Sequence, residues 1–424
     1  MSAGESKQAG SETPPELPSK VLSEVVHEYG TPVWIYDAET IRRQIERLRA
    51  FDVTRYAQKA CSNLSILRMM RAAGVLADAV SLGEVERALA AGYRVGGEPA
   101  PIVFTADLLD VEAVRRLTEL DVPVNAGSPQ MLEQIGEVRP GYPVWIRINP
   151  GFGHGHSRKT NTGGEHSKHG IWHERVRESL GIVDRFGLDL VGLHMHIGSG
   201  VDYTHLQRVC ESMVEQVLRS ERDIRAISAG GGLSVPYRSE EAPVDTAHYF
   251  SLWDEARREI EGIVGHPVQL EIEPGRFLVA QSGVLVAEVR AHKSVGEGHF
   301  TLVSAGFNDL MRPAMYGSHH RVSVLDPQGQ RLEAEMAKTT VAGPLCESGD
   351  VFTQDGAGEV HALRLPRARV GDLVVFHDAG AYGSSMSSNY NTRSLAPEVM
   401  VDGSDVKLIR RRQTVGELLA LETL

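Results

Sequence analysis

The feature that most restricts the fold of this 424-residue chain is a regular alternation of short apolar runs with amphipathic segments over residues 37–283. Strand-like runs recur at Val53–Ala57, Leu76–Val80, Pro101–Thr105, Val122–Asn125, Val144–Asn149, Leu190–His196, Arg225–Ala229 and Val268–Ile272. Apolar residues fall at helical spacing in Glu39–Phe51, Leu64–Ala73, Gly83–Ala91, Val111–Leu120, Gln130–Val138, Glu174–Phe186, Tyr203–Arg219 and Thr246–Val264. Short strands separated by helices run parallel, and eight such units predict closure into a (β/α)8 TIM barrel. The competing arrangement is an open doubly wound sheet. Its Gly-x-Gly-x-x-Gly fingerprint is missing after the first strand.

Beyond residue 284 the texture changes. Val284–Val289, Phe300–Val303, Arg321–Val324, Val370–Phe376 and Glu398–Val401 read as strands, with long helices absent until Thr414–Leu424. Residues 284–424 therefore read as a C-terminal antiparallel β domain of sandwich or Greek-key barrel type. Residues 19–36, with the alternating Pro32–Tyr36, are expected to join it, since the barrel needs no ninth strand. Residues 1–18, rich in Ser, Gly, Glu and Pro without a basic start and apolar core, read as a mobile tail.

The net charge of −12, with no long basic run, argues against a nucleic-acid or acidic-membrane partner. No apolar run approaches the ~20 residues of a membrane span. The three cysteines, Cys61, Cys210 and Cys346, form neither a disulfide framework nor a zinc pattern, which suits a cytoplasmic protein.

A barrel places functional side chains just past the carboxyl ends of its strands. The unusual polar residues lie there: Lys59; Asp78 and Ser81; Asn125; Arg147 and Asn149; His196 with Gly198-Ser199-Gly200; Gly230-Gly231-Gly232; and Glu273-Pro-Gly275-Arg276. Lys59 is an unsuitable strand-core residue but a capable amine nucleophile or Schiff-base partner. Two glycine loops offer backbone N–H groups to a phosphate, and Glu273 is able to pair with a protonated pyridine nitrogen. Together these meet the needs of pyridoxal 5'-phosphate. The segment Gly151–Gly170, with His154, His156, His166 and His169, lacks fixed ligand spacing; it reads as a mobile loop beside the site, and no metal is expected.

The motifs Tyr56-Ala-Gln-Lys-Ala60, His194-Met-His-Ile-Gly-Ser-Gly200, Gly230-Gly-Gly-Leu233 and Glu271-Ile-Glu-Pro-Gly-Arg276 resemble those of the alanine-racemase-like, pyridoxal-phosphate-dependent decarboxylases. Three more, Arg312-Pro-Ala-Met-Tyr316, Gly343-Pro-Leu-Cys-Glu-Ser-Gly-Asp350 and Asp378-Ala-Gly-Ala-Tyr-Gly-Ser-Ser-Met-Ser-Ser-Asn-Tyr390, resemble its diaminopimelate branch. The likeness runs from about Pro32 to the carboxyl end. It implies Lys59 as the Schiff-base lysine, His196 stacked on the ring, Glu273 at the ring nitrogen and Asp78 as a charge partner. Ser199, Gly230, Gly231, Gly232, Gly275 and Arg276 would hold the phosphate, and Tyr382 would touch the cofactor or the substrate. Cys346 would be the acid that protonates the carbanion, with Arg276, Arg312, Tyr316, Glu347 and Tyr382 on the substrate. The implied reaction is decarboxylation of meso-diaminopimelate at its D centre to L-lysine and carbon dioxide, the last step of lysine biosynthesis. A homodimer with shared active sites is implied as well. Ornithine or arginine decarboxylation, racemisation, or a catalytically silent regulatory homologue are the alternatives. This chain departs from the family pattern at Cys61 beside the lysine, at His169 where phenylalanine is common, at Arg393–Pro397 and over Gly151–Gly170, and these departures are expected to lie outside the catalytic set.

Overall fold

The computed structural model describes residues 17–155, 163–196 and 198–422; residues 1–16 of the expected tail and His156 lie outside them. Eight parallel strands form the barrel: β1 Val53–Ala57, β2 Leu76–Ala79, β3 Ile102–Ala106, β4 Val124–Ala126, β5 Pro143–Asn149, β6 Asp189–Met195, β7 Ala226–Ser228 and β8 Gln269–Ile272. They pair in the order β4-β3-β2-β1-β8-β7-β6-β5, and β4 also pairs with β5, so the sheet closes.

Polar residues at the carboxyl ends of strands start the outer helices by capping them. Asn63 accepts from the Ser65 N–H, Ser81 from Glu84, Asp110 from Ala113, and Asp202 from Thr204 and His205. Each cap satisfies an otherwise orphaned donor, so the turn from strand to helix is written locally. Gly192 on β6 has a different reason: a Cβ there would lie 2.0 Å from the Ala226 carbonyl oxygen of β7.

The barrel interior is not wholly apolar. Arg55 on β1 and Glu271 on β8, each with a side chain 2% exposed, form a bidentate pair at 2.6 and 2.9 Å. Two buried charges are tolerated here because each satisfies the other's hydrogen-bonding groups.

The second sheet has nine strands: seven follow one hydrogen-bonded path, and Leu373–Phe376 with Val322–Leu325 branches from it. Its spine is the long strand Gly283–Val295, which pairs antiparallel with Val33–Asp37, Leu373–Phe376 and Gly298–Val303. Val33–Asp37 pairs in turn with Glu398–Asp402 in parallel, and Gly298–Val303 pairs in parallel with Met336–Ala342. The early strand thus belongs to this sheet. Met336–Ala342, Leu363–Pro366 and Asp405–Arg410 are strands that the sequence pattern did not reveal. Ser19–Tyr29 is a helix that it missed, read only as part of the β region. This helix buries Leu22 and Val25 on a core of Val33, Ile35, Val286, Val375, Val399 and Val401, a contact that local propensity does not encode. At the other end the expected Thr414–Leu424 helix is only Val415–Leu419, opened by a capping box between Thr414 and Glu417. Among the described residues no helix is long and apolar enough to cross a membrane.

Breaking the Arg55–Glu271 pair strands a buried charge, so Glu271→Ala is expected to cost about 3–5 kcal/mol, whereas Arg55→Met with Glu271→Leu should recover most of that. Calorimetric midpoints of the single and double variants check this.

Candidate active site

A cavity of about 520 Å³ opens at the carboxyl ends of the barrel strands, where the sequence places its polar residues. Lys59, Asp78, His196, Gly231, Gly232, Glu273, Gly275, Arg276, Arg312, Tyr316 and Tyr382 all line it. Lys59 sits in a 3-10 turn, Gln58–Ala60, immediately past β1, and its side chain is exposed in the cavity.

The floor is anionic. Glu273 follows β8 and is 7% exposed; one carboxylate oxygen is 2.7 Å from His194 Nε2 and the other accepts from Ser228 Oγ at 3.0 Å. Burial alone would raise this carboxyl, but His194, Ser228 and the nearby Arg55 outweigh it and bring it to about 2. Glu273 is thus a fixed anion. Asp78, at the end of β2, is shifted the opposite way. Burial and the charge of Glu273 push it up to about 7, against the pull of Lys59. Among the described residues its Oδ1 has no hydrogen-bond partner, nor has His194 Nδ1.

His196 forms one wall. Its Nδ1 accepts the Gly231 N–H at 2.8 Å. Desolvation, then Arg147 and Lys59, hold the imidazole well below its usual range, so it stays neutral. Gly231 leaves room for this ring: a Cβ would stand 3.2 Å from His196 Cε1 and 2.6 Å from the Glu273 carbonyl oxygen. Gly230 does not line the cavity. It adopts φ +60° with its N–H bonded to Ser228 Oγ at 3.1 Å, so it shapes the loop. Gly198–Ser199 pairs with His154–Gly155, and the Gly200 N–H bonds the Gly232 carbonyl at 3.0 Å, which ties the two glycine loops together. The side chain of Ser199 lies outside the described residues.

The far end is cationic. Arg276 donates to the Tyr237 hydroxyl at 3.2 Å and lies 5.4 Å from the Tyr382 ring centroid. Arg312, in the short helix Arg312–Tyr316, is 4% exposed. Tyr382 has φ +56°, and its N–H bonds the Ala60 carbonyl at 2.8 Å, so the loop carrying it is anchored beside Lys59.

Cys346 and Glu347 do not line the cavity of their own chain, and both are exposed. Their loop is braced from the Asn389–Asn391 segment: the Cys346 N–H donates to Asn391 Oδ1 at 3.4 Å, and Tyr390 donates its hydroxyl proton to the Glu347 carboxylate.

Several contributors were missed in the sequence. His194 lies two residues before His196, and strand alternation alone would turn it into the barrel. Tyr237 and His320 carried no local signal. His169, read as part of a loop beside the site and outside the catalytic set, lines the cavity with Nδ1 2.5 Å from Asp107 Oδ2. Among the described residues no group of three or more His, Cys, Asp or Glu is placed to hold a metal.

An exposed amine, a fixed anion across the cavity, two unpartnered buried polar atoms and a wall that only glycine permits fit an aromatic phosphate with a reactive carbonyl and a basic ring nitrogen. This chemistry defines a pyridoxal-dependent enzyme, and residues 38–280 match the family model of the pyridoxal-dependent decarboxylases' pyridoxal-binding domain. The chain is 69% identical over 412 residues to the diaminopimelate decarboxylase of Streptomyces coelicolor, covering 96% of this chain and 94% of that one. A crystal structure of a diaminopimelate decarboxylase superposes with TM-score 0.95 at 60% identity, over 98% of this chain and 99% of that one. The Helicobacter pylori enzyme solved with L-lysine gives TM-score 0.81 at 30% identity, over 94% of this chain and 98% of its own. This chain belongs to the diaminopimelate decarboxylases, and its cofactor is pyridoxal 5'-phosphate.

The two floor carboxyls make opposite contributions to stability in the cofactor-free protein. Asp78, raised from 3.8 to about 7, contributes stability below about pH 4 that is lost as pH rises through about 7. Glu273, lowered from 4.5 to about 2, contributes stability above about pH 4.5 that is lost as pH falls through about 2. Thermal unfolding near pH 8 should therefore show Asp78→Asn stabilised and Glu273→Gln destabilised, each by roughly a few kcal/mol, with the Asp78→Asn gain vanishing near pH 4.

Proposed function

We infer that this chain decarboxylates meso-diaminopimelate at its D centre, releasing L-lysine and carbon dioxide as the last step of lysine biosynthesis. The observation that carries this reading is the 69% identity to a diaminopimelate decarboxylase over nearly the whole of both chains. The H. pylori relative's crystal complex with L-lysine agrees with lysine as the product.

Roles for the side chains follow from where they stand. Lys59 would bind the cofactor covalently through Nζ. Glu273, as a fixed anion, would keep the pyridine nitrogen protonated, and neutral His196 would lie against the ring. Gly231, Gly232, Gly275, Arg276 and Ser199 would hold the phosphate, with Gly230 shaping their loop. Asp78 would balance the charge of Lys59. When bound, the cofactor supplies an electron sink for the pair left on Cα by the departing carboxylate. Arg312, Tyr316 and Tyr382, with Arg276, would orient the substrate's other end and exclude water.

Proton return to Cα would fall to Cys346 Sγ, and recognition of the distal amine to Glu347. Both stand clear of their own cavity on an exposed, braced loop, which agrees with a homodimer in which each protomer's Cys346–Glu347 pair enters the other's site. Met315 and Tyr390, 46% and 42% exposed, suit an isologous interface there. A cytoplasmic location accords with three cysteines that form no disulfide.

The reaction is tested by incubating the holoenzyme with meso-diaminopimelate, L,L-diaminopimelate, ornithine or arginine and following carbon dioxide and amine. Lysine from the meso isomer alone is expected, abolished in Lys59→Ala and slowed about 10²–10⁴-fold in Cys346→Ala. Turnover of ornithine or arginine instead would sink the substrate assignment. Shared sites predict that equal amounts of Lys59→Ala and Cys346→Ala, unfolded and refolded together, recover about a quarter of full activity, because half the dimers then hold one intact site. No recovery would place each Cys346 in its own protomer's site.

A further inference from the structure

Arg312 is a buried cation that makes no ion pair among the described residues. Burying an unpaired charge is costly, so its neighbours need explaining. Its Nη1 donates to His320 Nε2 at 3.0 Å; His320, 5% exposed, donates from Nδ1 to the His377 carbonyl at 2.9 Å. These two bonds require the neutral tautomer with a bare Nε2, because a proton there would oppose the arginine donor. Burial and the charge of Arg312 hold this imidazole at about 3, so it stays an acceptor across the working range.

Tyr237 completes the arrangement. Arg312 Cζ lies 4.8 Å from its ring centroid and Arg276 Cζ 5.7 Å, and its hydroxyl accepts from Arg276. The ring of Tyr237 meets His320 edge-on at 5.7 Å. One aromatic side chain therefore holds two guanidinium groups that raise each other's electrostatic cost, and its negative faces offset part of it. His320 holds one Nη of Arg312, and the guanidinium lines the cavity, where its donors suit a carboxylate.

We propose that Tyr237 and His320 are positioning residues: they hold Arg276 and Arg312 as a receptor for the carboxylate at the substrate's non-reacting end. They thereby set the preference for an amino acid over a plain diamine. The proposal rests on the decarboxylation reading above, which assigns Arg276 and Arg312 to the substrate without saying what orients them.

L-lysine and 1,5-diaminopentane differ only in that carboxylate, so their inhibition constants on the holoenzyme isolate its recognition. In His320→Phe and Tyr237→Leu, inhibition by lysine should weaken about tenfold or more while that by diaminopentane moves less than about twofold. KM for meso-diaminopimelate should rise more than kcat falls, and in His320→Phe, whose bond is to Arg312, pyridoxal phosphate affinity of the apoprotein should be unchanged. His320→Asn, which keeps a donor and an acceptor, should restore lysine inhibition to within about threefold of the unaltered enzyme. Parallel shifts for lysine and diaminopentane, or no shift in either, overturn the positioning role. If His320→Phe does not fold, Tyr237→Leu decides by the same two outcomes. Failure of the unaltered holoenzyme to turn over meso-diaminopimelate would overturn the underlying reading instead.

Discussion

The active site depends on a junction at one carbonyl. Ala60, next to Lys59, is fully buried, and its oxygen accepts both the Tyr382 N–H at 2.8 Å and Ser385 Oγ at 3.0 Å. Three residues on, Asn63 donates its side-chain amide to Glu398, which also takes Ser384 Oγ and pairs with Arg410 at 2.9 Å. Glu398 is 1% exposed, so these partners are what make its burial tolerable. The turn bearing the lysine belongs to the barrel, whereas Tyr382, Ser384, Ser385 and Glu398 belong to the region of the second sheet. The lysine is thus presented by a loop that both parts hold, and neither part alone would fix its direction.

From that junction the cavity holds two groups of charges: Glu273 and Asp78 with Lys59 and Arg147 in one, Arg276 and Arg312 in the other. In a desolvated space each charge acts at long reach, which is why Glu273 is driven down and Asp78 up although both are buried carboxyls. The difference is the company each keeps. Glu273 has His194, Ser228 and Arg55, whereas Asp78 has an unpartnered oxygen and an anion nearby. This zoning suits a cofactor with a cationic ring nitrogen at one end and a substrate with a carboxylate at the other.

The barrel was legible because its evidence is local and repeated. Strand and helix periods differ, caps such as Asn63, Ser81 and Asp110 mark the turns between them, and eight repeats admit one closed sheet. The positions of Lys59, Glu273 and His196 were legible for the same reason: a strand end in such a barrel points at the site. The second region was read less well. Met336–Ala342 and Leu363–Pro366 are edge-side strands whose pairing comes from distant partners, and Ser19–Tyr29 is helical because its apolar face covers a sheet assembled hundreds of residues later.

What the amino-acid sequence by itself determined is the alternation that closes the barrel, the glycine loops and the residues able to hold a pyridoxal cofactor. Only the tertiary structure decided which polar groups meet. His194 bonds Glu273 across β6 and β8, and Tyr237 stands between Arg276 and Arg312 with His320 behind them. His169 entered the cavity wall, and Cys346 and Glu347 stayed outside their own cavity. Periodicity tells which face a side chain takes, because it depends on backbone geometry within a few residues. Which partner that side chain finds depends on sheet register and on how the two parts dock, and those are set by packing over the whole chain.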